Sequence, residues 1–481
     1  MKKRFIVLNL LAAGLMSIAP FSIYCAVTLC SKNIYTNTYY AALVDKVHLL
    51  KSKQSKKIVL IGGSNVAFGF DGETLKEYFP DYEVVNFGLY ASLGTKIMLD
   101  LAKPCLNDGD IALIAPEINE QSMSLYFSGK NTWKAIEEEK SLYWAFPNDN
   151  RDVLRGSYFE FNFEKSKYDE PIVPEGVYQR SSFNQYGDIH YGEEVEGEWI
   201  SKRQSNILSL HYDPSMLINY DMEINSQFIS YLNDYAYDLS KKGCQVLYSF
   251  SPVNSLSVEE SPSYNAFYWS IRDNLKMPIV GNPKEYVLDS HYFYDSNFHL
   301  NDAGAILRSL IFVEQYYRDV KGEYVDLKDK YPDIPEYEEV DVDTTYNSET
   351  ADCFIYQSQG ETLEIVGVNE IGEAFDEITL PSVAEHTVVS GIASQAFANS
   401  NLKTVVVPPT IRYIKDGAFK DSRINRVYME STHPSSINIS WNGGLVEGTV
   451  SDFLIYVPEK AFSAYNADYY WGPYGQYLRK Y

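Results

Sequence analysis

The chain has 481 residues, of which 45% are hydrophobic and 22% charged, with a formal net charge of -24. The length allows two or three domains, and the composition is that of a chain able to bury a sizeable core. The charge argues against a nucleic-acid partner, because phosphate would be repelled rather than neutralised.

Lys2, Lys3 and Arg4 precede an uncharged apolar run from Phe5 to Cys30. Some 20 apolar residues suffice to span a bilayer core, and a positive cluster before the span keeps that end inside. The sequence therefore predicts a cytoplasmic end at 1–4, an uncleaved transmembrane signal anchor at 5–30 and a juxtamembrane segment at 31–56, with everything beyond outside the membrane. A cleavable signal peptide is the competing reading, but Ser22-Ile23-Tyr24-Cys25-Ala26 makes a poor cut site. Five cysteines, at 25, 30, 105, 244 and 353, form no disulfide framework and no zinc spacing. No metal or organic cofactor is expected.

From Lys57 short apolar runs alternate with amphipathic stretches. Strands are predicted at Ile58–Ile61, Glu83–Asn86 and Asp110–Ala115, with helices at Glu73–Phe79 and Lys96–Ala102 between them. This β-α-β-α-β succession predicts a parallel sheet covered on both faces. A Tyr-, Phe-, Ser- and Asn-rich stretch at about 120–213 breaks the rhythm and reads as an insertion. The pattern resumes with a helix at Asp221–Lys242, a strand at Gln245–Phe250 and helices at Tyr264–Leu275 and Asp302–Tyr317, with Asn301 placed to cap the last. Residues 321–349 include the acidic run from Asp333 to Asp343 and read as a solvated linker.

Beyond the linker the sequence repeats itself. Gly391-Ile392-Ala393-Ser394-Gln395-Ala396-Phe397 matches Tyr413-Ile414-Lys415-Asp416-Gly417-Ala418-Phe419, and Asn401–Val405 matches Arg423–Val427, both at an offset of 22 positions (397 to 419, 402 to 424). One such unit cannot bury its own apolar face, so neighbours must stack. Ala374-Phe375 falls at the same offset, but its surroundings differ and it is read as chance. These residues resemble leucine-rich repeats of the BspA type, common on bacterial surface proteins, over about 353–481, within a predicted domain at 350–481. The resemblance implies a possible protein partner for the repeats and, with the anchor, a single-pass protein of a bacterial plasma membrane facing outward.

Three features could carry chemistry. Gly62-Gly63-Ser64-Asn65 follows the first strand, where a serine stands at the carboxyl end of a parallel sheet. Asn86-Phe87-Gly88 ends the second strand, and a glycine there lets a substrate oxygen approach a bare N–H. Asp295-Ser296-Asn297-Phe298-His299 precedes the closing helix. Together these resemble the SGNH (GDSL-type) hydrolase and acyltransferase superfamily over about 57–320.

The resemblance implies an α/β, flavodoxin-like parallel-sheet domain with a large insertion. It also implies a catalytic set of Ser64 as nucleophile, His299 as general base and Asp295 as its orienting acid. The oxyanion would be held by the N–H groups of Ser64 and Gly88, with Asn119 as a substitute third donor. Asn65, Asn86, Glu117 and Asn297 would border the substrate. His291, two residues after Asp289, is an alternative base. Two departures stand out. The acid is four residues before the histidine, where the family has three. Glu117 occupies the position where the family places an asparagine donor, and an ionised carboxylate only accepts hydrogen bonds. The implied activity is that of a serine esterase or O-acyltransferase working on acyl groups of cell-envelope or extracellular glycans. The alternative is a catalytically inactive surface adhesion or binding protein in which the repeats carry the function.

Overall fold

A computed structural model describes residues 32–481 except 169, 175, 196–197, 204–216, 259–261, 336–341, 360–361, 433, 435–436, 440–442 and 469. The predicted anchor at 5–30 and the basic end at 1–4 lie outside the described residues. Among the described residues no helix is long and apolar enough to cross a membrane.

Four parallel strands form the first sheet: β1 (Lys57–Ile61), β2 (Glu83–Asn86), β3 (Ile111–Ile114) and β4 (Gln245–Tyr248), in the order β2-β1-β3-β4. The order is that of the flavodoxin-like arrangement. The strand centres are apolar because both faces are covered. Ile58 and Leu60 pack with Val84, Leu113 and Leu247 on one side. Val59 and Ile61 pack with Val85, Ala112, Ile114 and Val246 on the other.

The first face is covered by α3 (Gly72–Tyr78) and α9 (Asp302–Tyr316). The second is covered by α1 (Ala42–Ser52), α4 (Thr95–Ala102), α7 (Ser226–Ser240) and α8 (Tyr264–Arg272). Between β1 and α3 runs a single turn, α2 (Ser64–Ala67). Helix α7 begins later than its sequence pattern predicts because Asn225 caps it, accepting from the N–H groups of Gln227 and Phe228.

The segment expected to follow the anchor carries structure of its own. It contains α1, whose Leu43, Val47 and Leu50 belong to the sheet's core. Lys46 interrupts this apolar stripe in the sequence, yet it is buried, with its ammonium donating to the carbonyls of Asn86 and Gly187. The insertion likewise supplies structure, with α5 (Gly129–Ala135) and α6 (Asn148–Lys165). Glu137 beyond α5 accepts from the N–H groups of Ile34 and Tyr35 at 2.9 and 2.7 Å and pairs with Lys165 of α6 at 2.7 Å. The start of the expected linker is also docked: Leu327 is buried and its N–H donates to Glu314 of α9.

The C-terminal region is built on two parallel ladders. In one, Thr362–Val368, Thr387–Ile392 and Tyr413–Ile414 stack side by side. In the other, Glu377–Thr379, Thr404–Val407, Arg426–Met429, Leu454–Val457 and Leu478–Lys480 do so. The sequence offset is the strand register, since Ile392 pairs Ile414 and Val405 pairs Val427. Phe397 and Phe419 stack in the core with centroids 5.4 Å apart. The Ala374-Phe375 unit does join the stack, because Ile378 pairs Val405. Its Phe375 is exposed, which is why its surroundings read differently.

Candidate functional site

The site is built where β1 runs into α2. Gly62 admits no side chain, since a Cβ there would meet Val66 at 2.4 Å and the Ala115 carbonyl at 2.5 Å. Ser64 is therefore placed at the carboxyl edge of the sheet. Its hydroxyl donates to Glu117 Oε1 at 3.0 Å, and the neighbouring N–H of Asn65 donates to the same oxygen at 3.3 Å. Asn119 Nδ2 donates to Glu117 Oε2 at 3.4 Å. Burial pushes the Glu117 carboxyl above the usual range, opposed by the charge of His299 and by these three hydrogen bonds.

His299 comes from the loop before α9. Its Nδ1 lies 2.7 Å from Asp295 Oδ1. With the carboxylate accepting there, the neutral imidazole carries its proton on Nδ1 and leaves Nε2 as the basic nitrogen. The four-residue spacing works because the loop folds on itself: the Tyr294 N–H donates to the His299 carbonyl at 2.8 Å, and Ser296 Oγ accepts from the His299 N–H at 3.1 Å. Tyr178, from the insertion, donates to Asp295 Oδ2 at 2.5 Å and lies 3.2 Å from His299 Nδ1. Burial and then the Asp295 charge push its phenol well above the usual range, which keeps it a donor.

The two halves meet through Phe68, whose N–H donates to the Ser64 carbonyl at 2.9 Å and whose ring stacks on His299. Among the described residues no hydrogen bond joins Ser64 to His299. Both are largely covered, Ser64 being 8% and His299 6% exposed.

The remaining sequence candidates are engaged within the protein. Asn65 is buried, accepting from the Gly63 N–H and donating to the Ala115 carbonyl and Ser251 Oγ. Asn86 is buried, donating to the Val66 carbonyl and Asp188, and its Oδ1 accepts the Gly88 N–H at 3.0 Å. The donor assigned to the oxyanion at Gly88 is thus directed at Asn86. Gly88 also has to be glycine for space, since a Cβ would meet the Ala67 nitrogen at 2.5 Å. Asn297 is buried and its carbonyl accepts from the Asn254 N–H. His291 pairs locally with Asp289 in a turn of its own.

Three contributors were not legible in the sequence. Tyr178 lies in an irregular stretch with no motif. Arg308 is a charge inside the apolar stripe of α9; it is buried and donates to the carbonyls of Asn65 and Phe250 at 2.7 and 3.0 Å. Burial draws its guanidinium down to about 9, still cationic near neutral pH. Asp468, from the end of the repeats, is half-buried and accepts the N–H groups of Tyr470 and Trp471 on Oδ1. Burial foremost, with the charge of Asp295 adding, raises it to about 7. Nearby, Arg203 donates to the Phe68 carbonyl and borders a pocket of about 510 Å³ with Asp71, Tyr186, His190 and Trp199.

Stacked parallel strands at a constant sequence offset and a closing segment around Trp471 characterise the C-terminal region. Residues 338–466 match the family model of the BspA type leucine-rich repeat region, in six copies. The BspA-type region accounts for the repeat ladders, and repeats of this type suggest a surface or binding protein. A comparison with curated proteins finds no match for the chain. The BspA-type match stops short of the α/β part, whose site has to be read from its own geometry.

Proposed function

We propose that this protein is a membrane-anchored bacterial surface protein whose α/β part is an SGNH-like serine esterase or O-acyltransferase acting on acyl groups of cell-envelope or extracellular glycans. The observation that carries the reading is the convergence of Ser64 with the Asp295–His299 pair across Phe68, from loops 235 positions apart (64 to 299). Ser64 would attack the acyl carbon and form an acyl-enzyme, released to water or to a sugar hydroxyl. The Asp295–His299 pair is its acid–base partner. An exposed Trp199 stacked on His190 at 4.1 Å, beside polar Asp71 and Arg203, favours a sugar ligand near the site. The repeats would hold the protein at a partner. The anchor reading rests on residues 5–30, and it places the site outside the cell.

The test is labelling with a serine-reactive fluorophosphonate, alongside turnover of p-nitrophenyl acetate. Wild type should label and Ser64→Ala should not; labelling that persists in the variant removes Ser64 from the reaction. Protease shaving of intact cells tests the orientation, and a chain that survives when an external marker is lost contradicts it.

A second reading is a binding protein without turnover. It is favoured by the covered Ser64 and His299 and by the engaged N–H groups of Asn65 and Gly88. An unlabelled, inactive wild type would establish it over the first.

A further inference from the structure

A general base has to lie within hydrogen-bond reach of the proton that it removes. At Ser64 that condition is met by Glu117, not by His299. The Ser64 hydroxyl points at Glu117 Oε1 at 3.0 Å, and the carboxyl is held there from both sides by the Asn65 N–H and the Asn119 amide. It is 5% exposed, and a Cβ on Gly63 would come within 3.0 Å of Oε1, so little room is left for another arrangement.

We propose that Glu117 is the residue that takes the proton of Ser64, leaving the Asp295–His299 pair to serve the incoming hydroxyl. The inference rests on the serine reading above and reassigns the first proton transfer within it. Ser64 Oγ forms the bond to the acyl carbon as its proton passes to Glu117 Oε1, and the carbonyl π pair moves to oxygen. The carbonyl then re-forms as the ester C–O bond breaks, and the departing alkoxide takes a proton from Nε2 of the protonated His299. In the second half His299 Nε2 takes the proton of water or a sugar hydroxyl as that oxygen attacks, and Ser64 Oγ takes its own proton back from Glu117 as the carbonyl re-forms and the acyl bond to serine breaks. The full cycle thus restores both groups.

The charge of His299, which is held by Asp295 and Tyr178, acts on Glu117. Burial favours its neutral form, while His299 and the three donors favour its anion. A buried carboxyl whose ionisation is moved up toward neutrality suits a base. Since the base acts only when ionised, the rate of serine labelling should rise with pH through the Glu117 ionisation, at a pH above that of an ordinary carboxylate.

The experiment measures fluorophosphonate labelling rates against pH for wild type, Glu117→Gln, His299→Gln and Glu117→Ala, with thermal melts to establish folding. Glutamine keeps the volume and an acceptor but not the basicity. The expected result is a loss of about 10²-fold or more in Glu117→Gln, with its acidic limb abolished, against a smaller loss in His299→Gln. Formate should restore Glu117→Ala in part, which a merely structural role would not allow. Equal rates and pH profiles in wild type and Glu117→Gln overturn the assignment while leaving Ser64 as nucleophile. A wild type that never labels overturns the assignment and the serine reading together, so the two failures are distinguishable.

Discussion

The imidazole of His299 lies face to face on Phe68, with ring centroids 4.2 Å apart and planes 8° apart. Phe68 closes the turn that starts at Ser64, so the stack fixes the orientation of the histidine relative to the serine helix. Replacing it by leucine keeps an apolar side chain but removes the stack. Phe68→Leu should cost about 1 kcal/mol of stability beyond lost area and lower the deacylation rate about tenfold, as an oriented aromatic pair is worth 0.5–1.5 kcal/mol. Stopped-flow turnover of p-nitrophenyl acetate measures the rate; an unchanged rate would show that His299 needs no such support.

Tyr178 ties the insertion to the acid of the pair. Tyr178→Phe removes its donor to Asp295 Oδ2 with little change in volume. Loss of a hydrogen bond to a charged acceptor should destabilise the fold by about 1.5–3 kcal/mol and slow turnover with it. Denaturant midpoints and steady-state kinetics on the same preparation read both effects. A variant with wild-type stability and rate would leave the insertion without a part in the site.

Arg308 clamps the carbonyls of Asn65 and Phe250 from inside α9. Arg308→Met fills similar space but leaves both acceptors without their donor. The expected loss is about 2–4 kcal/mol, with serine labelling reduced because the α2 turn is released. Urea unfolding measures it, and an unaltered midpoint would show that the carbonyls find other partners.

Asp468 makes stability depend on pH. Its carboxyl stands at about 7 in the fold against 3.8 ordinarily. The folded chain therefore holds this proton more tightly than the unfolded one, so the stability that Asp468 contributes is fully present below about 4 and is lost as pH rises to about 7. Asp468→Asn retains the Oδ1 acceptor for Tyr470 and Trp471 and removes the charge. It should leave Tm unchanged near pH 4 and raise stability at pH 8 by on the order of 1 kcal/mol, the full conversion being discounted for partial exposure. Calorimetry at the two pH values decides; equal destabilisation at both would assign Asp468 a purely capping role.

Elements with short-range causes were legible. The strand at Ile58–Ile61 stands out because residues buried on both faces form a continuous apolar run. The Asn301 cap is set by a neighbour within a few positions, since its side chain accepts from the Gly304 N–H. Helix α1 was hidden because Lys46 interrupts its apolar face, and only the carbonyls of Asn86 and Gly187, brought in from far along the chain, make that burial tolerable. The exposed Phe375 likewise concealed a strand that pairs in register with its neighbours.

The sequence by itself determined the apolar strands, the repeat offset and the positions of a serine and a histidine at loop ends, because each depends on local sterics and periodic burial. Only the tertiary structure decided what those groups meet. Ser64 is given to a carboxyl 53 residues away, and His299 is buttressed by a tyrosine 121 residues away. Hydrogen bonds of that span follow from how helices and insertion close over the sheet edge, and no local pattern encodes the distance between two side chains that meet only after the chain has packed.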